Sequence, residues 1–240
     1  MCQVCVFVLF VQSMKYELFL FDADDTLFDF KSCERKAFTS ALNHFGHNDD
    51  IELLYRTYGV ESQALWREVE QGKIAKDFLK AERFRRTFAK HGIDLPATEI
   101  GEFYLEVIPQ TCVLIDYARE LCQTLSQKGR LGIVTNGFEI VQTRRLQGSP
   151  LAPFISFMVV SEQCGFTKPD IRFFEYTSRL VPGFDKAKTL VIGDRLETDI
   201  AGANNFGLDA CWFNPAKAPS TSVKAKFEID HLSQLLTVIS

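Results

Sequence analysis

The chain has no basic excess. Its 240 residues carry 27 Lys and Arg against 31 Asp and Glu, a net charge of −4. It therefore offers no electrostatic footprint for a nucleic-acid polymer or an anionic membrane surface. Long hydrophobic runs are also missing: the apolar patch at residues 4–11 is far short of the ~20 residues a spanning helix needs. No basic segment of the kind that opens a secretory signal precedes it, and no lipidation motif appears, so the cytoplasm is the expected location. Seven Cys at irregular spacing argue against a disulfide framework and for reduced thiols. Cys2 and Cys5 have CxxC spacing, but without a second pair or a nearby His they do not complete a zinc site. There are no internal repeats and no low-complexity tract. What remains is ordinary globular usage, 46% hydrophobic and 24% charged, in a chain long enough for one domain or two modest ones. Residues 1–13 read as an extension dispensable to function, because Met14-Lys15-Tyr16 would be a natural start before the first strand.

The organising stretch is Leu18-Phe19-Leu20-Phe21 followed by Asp22-Ala23-Asp24-Asp25-Thr26-Leu27-Phe28. A short, fully apolar run suits a strand buried on both faces, as in a parallel sheet covered by helices. Asp22 and Asp24 stand two residues apart just beyond it, so in near-extended backbone both point the same way. Two such carboxylates repel unless a cation neutralises them. The carboxyl ends of strands are also where open α/β sheets bind ligands. A polar turn after a strand is the plainer alternative.

From about residue 32 to 108 the chain is charged and helix-periodic. Helices are expected over 33–45, from Asp50 to 58, over 62–70, over 75–91 with Gly92 as terminator, and over 98–108. Strands and helices then alternate: helix 116–128, strand 131–134, helix 141–146, strand 157–160, helix 171–180, strand 190–192, helix 199–206 and strand 210–213. A weak strand at 227–229 and a last helix from His231 follow. This alternation implies parallel strands joined by right-handed crossovers. The fold class is α/β, a Rossmann-like parallel-sheet core with an inserted helical bundle.

Three strand ends carry polar groups. Thr135-Asn136-Gly137 follows 131–134 and could be a neutral anion-holding loop, although Asn-Gly alone also reads as a simple turn. Asp194 follows 190–192 and repeats the placement of Asp22. Asp199, five residues on, could support it or merely cap a helix. Lys168, held extended by Pro169, could neutralise a phosphate; alone it would read as a solvated surface charge. Together these groups would bind a divalent metal and a phosphate at one sheet edge. Hard oxygen ligands with few protein carboxylates suit Mg²⁺, and the four His fall in none of the motifs, which disfavours zinc.

In these four motifs, their order and their spacing, the sequence resembles the haloacid dehalogenase superfamily over residues 14–240. The resemblance implies a core of residues 14–30 and 109–240, with residues 31–108 as a helical cap. It implies that Asp22 is the nucleophile, forming an aspartyl-phosphate, and that Asp24 is the general acid/base. Thr135, Asn136 and Lys168, with Asp24, would hold the substrate phosphate. Asp22, the main-chain carbonyl of Asp24 and Asp194 would ligate Mg²⁺, with Asp199 supporting the metal shell.

Dehalogenases of the superfamily lack the second motif aspartate, so Asp24 points to phosphoryl transfer. Asp25 in the first motif, Thr135-Asn136-Gly137-Phe138, Leu65-Trp66 ahead of Gly72, and Cys211-Trp212-Phe213-Asn214 look most like the bacterial pyrimidine 5'-nucleotidase branch. Leu114-Ile115-Asp116 and Gly148-Ser149-Pro150 depart from it at non-catalytic positions. The expected substrate is a small phosphorylated molecule, a nucleoside monophosphate first. A phosphatase or mutase of small sugar or organic phosphates such as phosphoglycolate is the alternative, and a non-catalytic module binding phosphorylated ligands is a third. Trp66 is expected in the bundle core rather than on a base, with Arg67 or Arg83 as candidate polar contacts. No feature of the sequence encodes an oligomeric state.

Overall fold

The computed structural model describes residues 15–220 and 222–240; residues 1–13, with Cys2 and Cys5, lie outside them. Six strands form one parallel sheet: β1 (Leu18–Phe21), β2 (Arg130–Thr135), β3 (Phe157–Val160), β4 (Thr189–Gly193), β5 (Asp209–Phe213) and β6 (Phe227–Ile229). Their order is β3-β2-β1-β4-β5-β6, with every pair parallel. β1 is wholly buried in the middle, which is why it is apolar at every position. Successive side chains alternate between faces: Phe19 and Phe21 enter one apolar cluster, Leu18 and Leu20 the other. The chain leaves β1 toward β2 and β3, then returns to β4 on the opposite flank. The end of β1 is thus a topological switch point, where such sheets bind ligands.

β1 is followed by a bundle of four helices, α1 (Phe30–His44), α2 (Ile51–Glu70), α3 (Lys76–His91) and α4 (Ala97–Val107). They share their own apolar cluster, including Phe38, Leu54, Tyr58, Leu65, Phe84 and Tyr104. Two helices expected over 50–58 and 62–70 are one continuous helix, α2. Leu54, Tyr58, Leu65 and Val69 keep one buried stripe running through Gly59, and the packing of that stripe outweighs the ~1 kcal/mol cost of a mid-helix glycine. Asp50 does not cap it through its side chain. Asp29 does cap α1, accepting from the Ser32 N–H at 2.9 Å.

The remaining helices are α5 (Ala118–Ser126), α6 (Glu139–Gln147), α7 (Ser161–Cys164), α8 (Ile171–Leu180), α9 (Ala201–Phe206) and α10 (Leu235–Val238). The helix expected over 199–206 begins instead as one wide turn, Leu196–Ile200, before α9. Both departures from the nucleotidase pattern find structural roles: Leu114 bridges Phe28 beside the first motif, and Gly148 caps α6. Among the described residues no helix is long and apolar enough to cross a membrane.

Candidate active site

Asp22 follows β1 directly, its N–H bonded to the Ile192 carbonyl of β4. This hydrogen bond sets the carboxylate at the joint end of the two central strands. Lys168 reaches it from the loop before α8. Its Nζ donates to Asp22 Oδ1 at 2.6 Å, to Asp199 Oδ1 at 2.6 Å and to the Val134 carbonyl at 2.7 Å. Lys168 is 1% exposed, so the surface-charge alternative for it is overturned. The clamp on its backbone is Asn136: the side-chain amide donates to the Lys168 carbonyl at 3.0 Å, and Oδ1 accepts from the Lys168 N–H at 2.8 Å. That leaves the second amide N–H of Asn136 and its main chain for any contact with a substrate phosphate. Thr135 is buried and accepts from the Gly137 N–H at 3.0 Å.

Asp22, Asp194 and Asp199 each bring one carboxylate oxygen to within 4.8 Å of the others. Asp199 accepts from the Arg195 N–H at 3.1 Å as well as from Lys168, which explains its burial better than helix capping does. It lies so close to Gly193 that a Cβ there would overlap its carboxylate; glycine at the end of β4 is what admits it. Asp194 is placed by its carbonyl, which accepts from Trp212 Nε1 at 2.8 Å, and its carboxylate lies 3.5 Å from Thr26 Oγ1.

Three acids converge beside one buried ammonium that bonds two of them, Asp22 and Asp199, and the electrostatics follow that imbalance. Burial raises the Asp22 pKa; Lys168 opposes the rise, while Asp199 and Asp24 add to it. Burial also raises Asp194, and the charges of Asp199 and Asp22 raise it further. For Lys168, burial works downward but is outweighed by Asp199 and Asp22, which keep it charged. Lys168 draws Asp22 toward its ionised form against that burial, because the ammonium touches two carboxylates and a carbonyl at once. The surplus negative charge is what a divalent cation would neutralise. The donor set fits such an ion: three carboxylates converge with oxygen atoms only, and among the described residues no His or Cys joins them.

Asp24 turns away from Lys168. Its carboxylate accepts from Gln142 Nε2 at 2.6 Å and from Arg145 Nη1, both on α6. Neither residue was flagged by the sequence, although Gln142 and Arg145 sit three apart, on one face of a helix it does predict. Asp25 takes the left-handed conformation (φ 57°), which Asp tolerates better than most residues. Its Oδ1 accepts from the Phe30 N–H at 3.1 Å and lies 3.4 Å from that of Lys31, tying the first motif to α1.

The site opens into a cavity of about 610 Å³ between sheet and bundle, walled by Glu34, Tyr55, Arg56, Gln63, Trp66 and Arg195 among others. Trp66 packs against the bundle's apolar cluster as expected, but it is only half-buried, its ring 5.7 Å from Phe138, and it also lines the cavity. Arg83 is 2% exposed within the bundle, 4.5 Å from the Tyr104 ring centre, and Arg67 is exposed. Neither lines the cavity. Polar contacts also tie bundle to sheet: Arg195 forks onto Glu70, with Nη2–Oε2 at 3.1 Å, and Lys76 Nζ meets the Gly137 carbonyl and Ser161 Oγ.

Residues 16–207, which contain the acid–lysine cluster, match a family model for haloacid dehalogenase-like hydrolases. The chain belongs to that family. Among its relatives, the pyrimidine 5'-nucleotidase PynA of Streptococcus pneumoniae is 35% identical, the match covering 93% of this chain and 94% of that protein. The pyrimidine 5'-nucleotidase YjjG of Escherichia coli is 28% identical over 91% of this chain and 98% of its own. YfnB of Bacillus subtilis, whose name assigns it to the HAD-hydrolases, is 34% identical over 94% of this chain and 96% of its own. A magnesium-bound crystal form of YfnB, described as revealing interdomain movement, superposes with a TM-score of 0.86 and covers 94% of this chain and 99% of that one.

Proposed function

We propose that this hydrolase cleaves nucleoside 5'-monophosphates, pyrimidine ones foremost, through an aspartyl-phosphate on Asp22. The observation that carries the reading is the end of β1: a carboxylate fixed by Lys168 beside Asp194 and Asp199, facing a cavity of about 610 Å³. A volume of that order suits a small ligand, and Trp66 and Tyr55 give its wall aromatic surface on which a base can lie. The relatives named as pyrimidine 5'-nucleotidases support the same substrate class.

Asp22, Asp194 and the Asp24 carbonyl would hold Mg²⁺, with Asp199 supporting. Bound there, the ion offsets the repulsion between Asp22 and the anionic ester and stabilises charge at phosphorus. The protein's own groups do the rest. Asp22 attacks phosphorus as Asp24 gives its proton to the leaving alkoxide oxygen; water then attacks the aspartyl-phosphate and returns a proton to Asp24. Lys168 and Thr135 hold the transferring group, and splitting the reaction in two lowers a barrier that is very high for phosphate monoesters in water. Residues 31–108 act as a cap over a core of 14–30 and 109–240 and exclude water from the reacting atoms. Such a soluble metabolite enzyme belongs in the cytoplasm.

The test is phosphate release from UMP, dUMP and dTMP against sugar phosphates and phosphoglycolate, with and without Mg²⁺. Mg²⁺-dependent turnover strongest on the nucleotides is the expected result. Preference for a sugar phosphate or phosphoglycolate keeps the chemistry and replaces the substrate class; release from none contradicts the reading.

A further inference from the structure

Two side chains of α6 grip Asp24, and no role described so far uses them. Gln142 Nε2 donates to Asp24 Oδ2 at 2.6 Å, and Arg145 Nη1 donates to Oδ1. The same Nη1 lies 3.4 Å from Gln142 Oε1, which joins the three groups in one network. Arg145 is fully buried, at 0% exposure. Its guanidinium carbon sits 4.5 Å from the Phe28 ring centre and 5.5 Å from that of Phe30. Its Nε and Nη2 have no hydrogen-bond partner.

A guanidinium in such a place is costly, and two unpaired donors raise the cost. Packing alone would be better served by an apolar side chain of similar volume. An ion pair and an orphaned donor set retained at such a cost call for an explanation in function. The geometry gives one: Arg145 backs the Asp24 carboxylate from the protein side, while Asp24 itself keeps 27% of its side chain exposed toward the cavity. Gly137 makes room for the arrangement, since a Cβ there would overlap the Gln142 carboxamide. The glycine that follows Thr135 and Asn136 is therefore also the residue over which Gln142 passes to reach Asp24.

We propose that Gln142 and Arg145 are positioning residues for the proton-transferring carboxylate, fixing Asp24 where the leaving-group oxygen arrives. This rests on the reading of Asp24 as acid/base given above. In the first step Asp24 enters protonated: a bond forms from an Asp22 oxygen to phosphorus, and the bond from phosphorus to the leaving oxygen breaks as that oxygen takes the Asp24 proton. The carboxylate left behind is the one Arg145 and Gln142 hold here, until the attacking water of the second step restores its proton. A carboxyl group free to rotate away cannot deliver the proton in the transition state, and positioned proton transfer contributes ~10²–10⁴-fold. Leaving groups that depart as stable anions need no such proton.

The experiment compares kcat/KM, which reports the steps up to the aspartyl-phosphate, on UMP and on p-nitrophenyl phosphate. Wild type, Gln142→Leu, Arg145→Met and Asp24→Asn are measured, each checked for folding by its urea midpoint. Gln142→Leu removes the amide without deleting a buried charge and keeps the test open if Arg145→Met does not fold. The expected result is a fall of roughly tenfold or more on UMP for Gln142→Leu, larger for Arg145→Met, with less than about threefold on p-nitrophenyl phosphate. The double variant Asp24→Asn/Gln142→Leu should be no worse on UMP than Asp24→Asn alone, because both changes remove one function. Equal losses on the two esters, or additive losses in the double variant, overturn the proposal and leave a structural role. Wild-type protein that hydrolyses neither ester overturns the phosphatase reading as well.

Discussion

Replacing Lys168 with Met removes the one ammonium that, among the described residues, touches both Asp22 and Asp199. The lysine is 1% exposed and the side chain of Asp199 2%, so water cannot take over its role. Breaking a buried ion pair by deleting one partner costs ~3–5 kcal/mol, since the other partner stays buried and uncompensated. At roughly 2–4 °C per kcal/mol for a chain of this size, the melting temperature should fall on the order of 10 °C. The loss must also depend on pH. Burial already raises the Asp22 pKa, and Lys168 opposes that rise; without the lysine it climbs further. An acid whose folded pKa is raised contributes stability that is present below its unfolded value and lost as pH rises through the folded one. The variant should therefore lie closer to wild type at pH 5 than at pH 8. Mg²⁺ at about 100 times its Kd should return up to ~2.7 kcal/mol by binding only the folded state. Thermal and urea unfolding at the two pH values, with and without Mg²⁺, measure all three effects. A loss under about 1 kcal/mol with no pH dependence would show that Lys168 does not compensate this cluster.

Three further outcomes follow from particular side chains. Burial pushes Glu34 up to about 7 against the opposing Arg83 and Tyr55; wild-type stability should fall by up to ~3 kcal/mol as pH rises from about 4.5 to 7, and Glu34→Gln should flatten that slope in urea titrations. Asp25 combines a positive φ with hydrogen bonds to the first N–H groups of α1, so Asp25→Ala should cost ~2 kcal/mol and Asp25→Gly about half that; the reverse order in urea midpoints would contradict the cost assigned to the positive φ. Trp66→Ala should raise KM for UMP roughly tenfold, the worth of base stacking, while inhibition by inorganic phosphate stays within about twofold.

The strand ends were legible because they pair an unbroken apolar run with an acid in the next position, a pattern that fixes direction and burial together. Asp22, Asp194 and Asp199 converge for that reason, since β1 and β4 are neighbours in register. Lys168 was harder: nothing local distinguishes it from a surface lysine until Asn136 is seen to hold its backbone from a loop 32 residues away. The break expected between residues 58 and 62 does not occur, because the penalty of Gly59 is local whereas the stripe from Leu54 to Val69 is buried by the whole bundle. Gln142 and Arg145 could not be assigned from spacing alone. Their i, i+3 placement shows a shared face, but which face meets Asp24 depends on how α6 leaves the loop after β2. Trp66 shows the same limit, since packing against Phe138 and lining a cavity give identical helical periodicity.

The most direct measurement of the central claim is an acid quench of wild type and Asp22→Asn within milliseconds of mixing with labelled UMP and Mg²⁺, followed by borohydride reduction and peptide mass spectrometry. The account predicts label on the wild-type protein, conversion of Asp22 to homoserine, and neither in the variant. Phosphate release by wild type with no protein-bound label under saturating substrate, or label on any other residue, would contradict it.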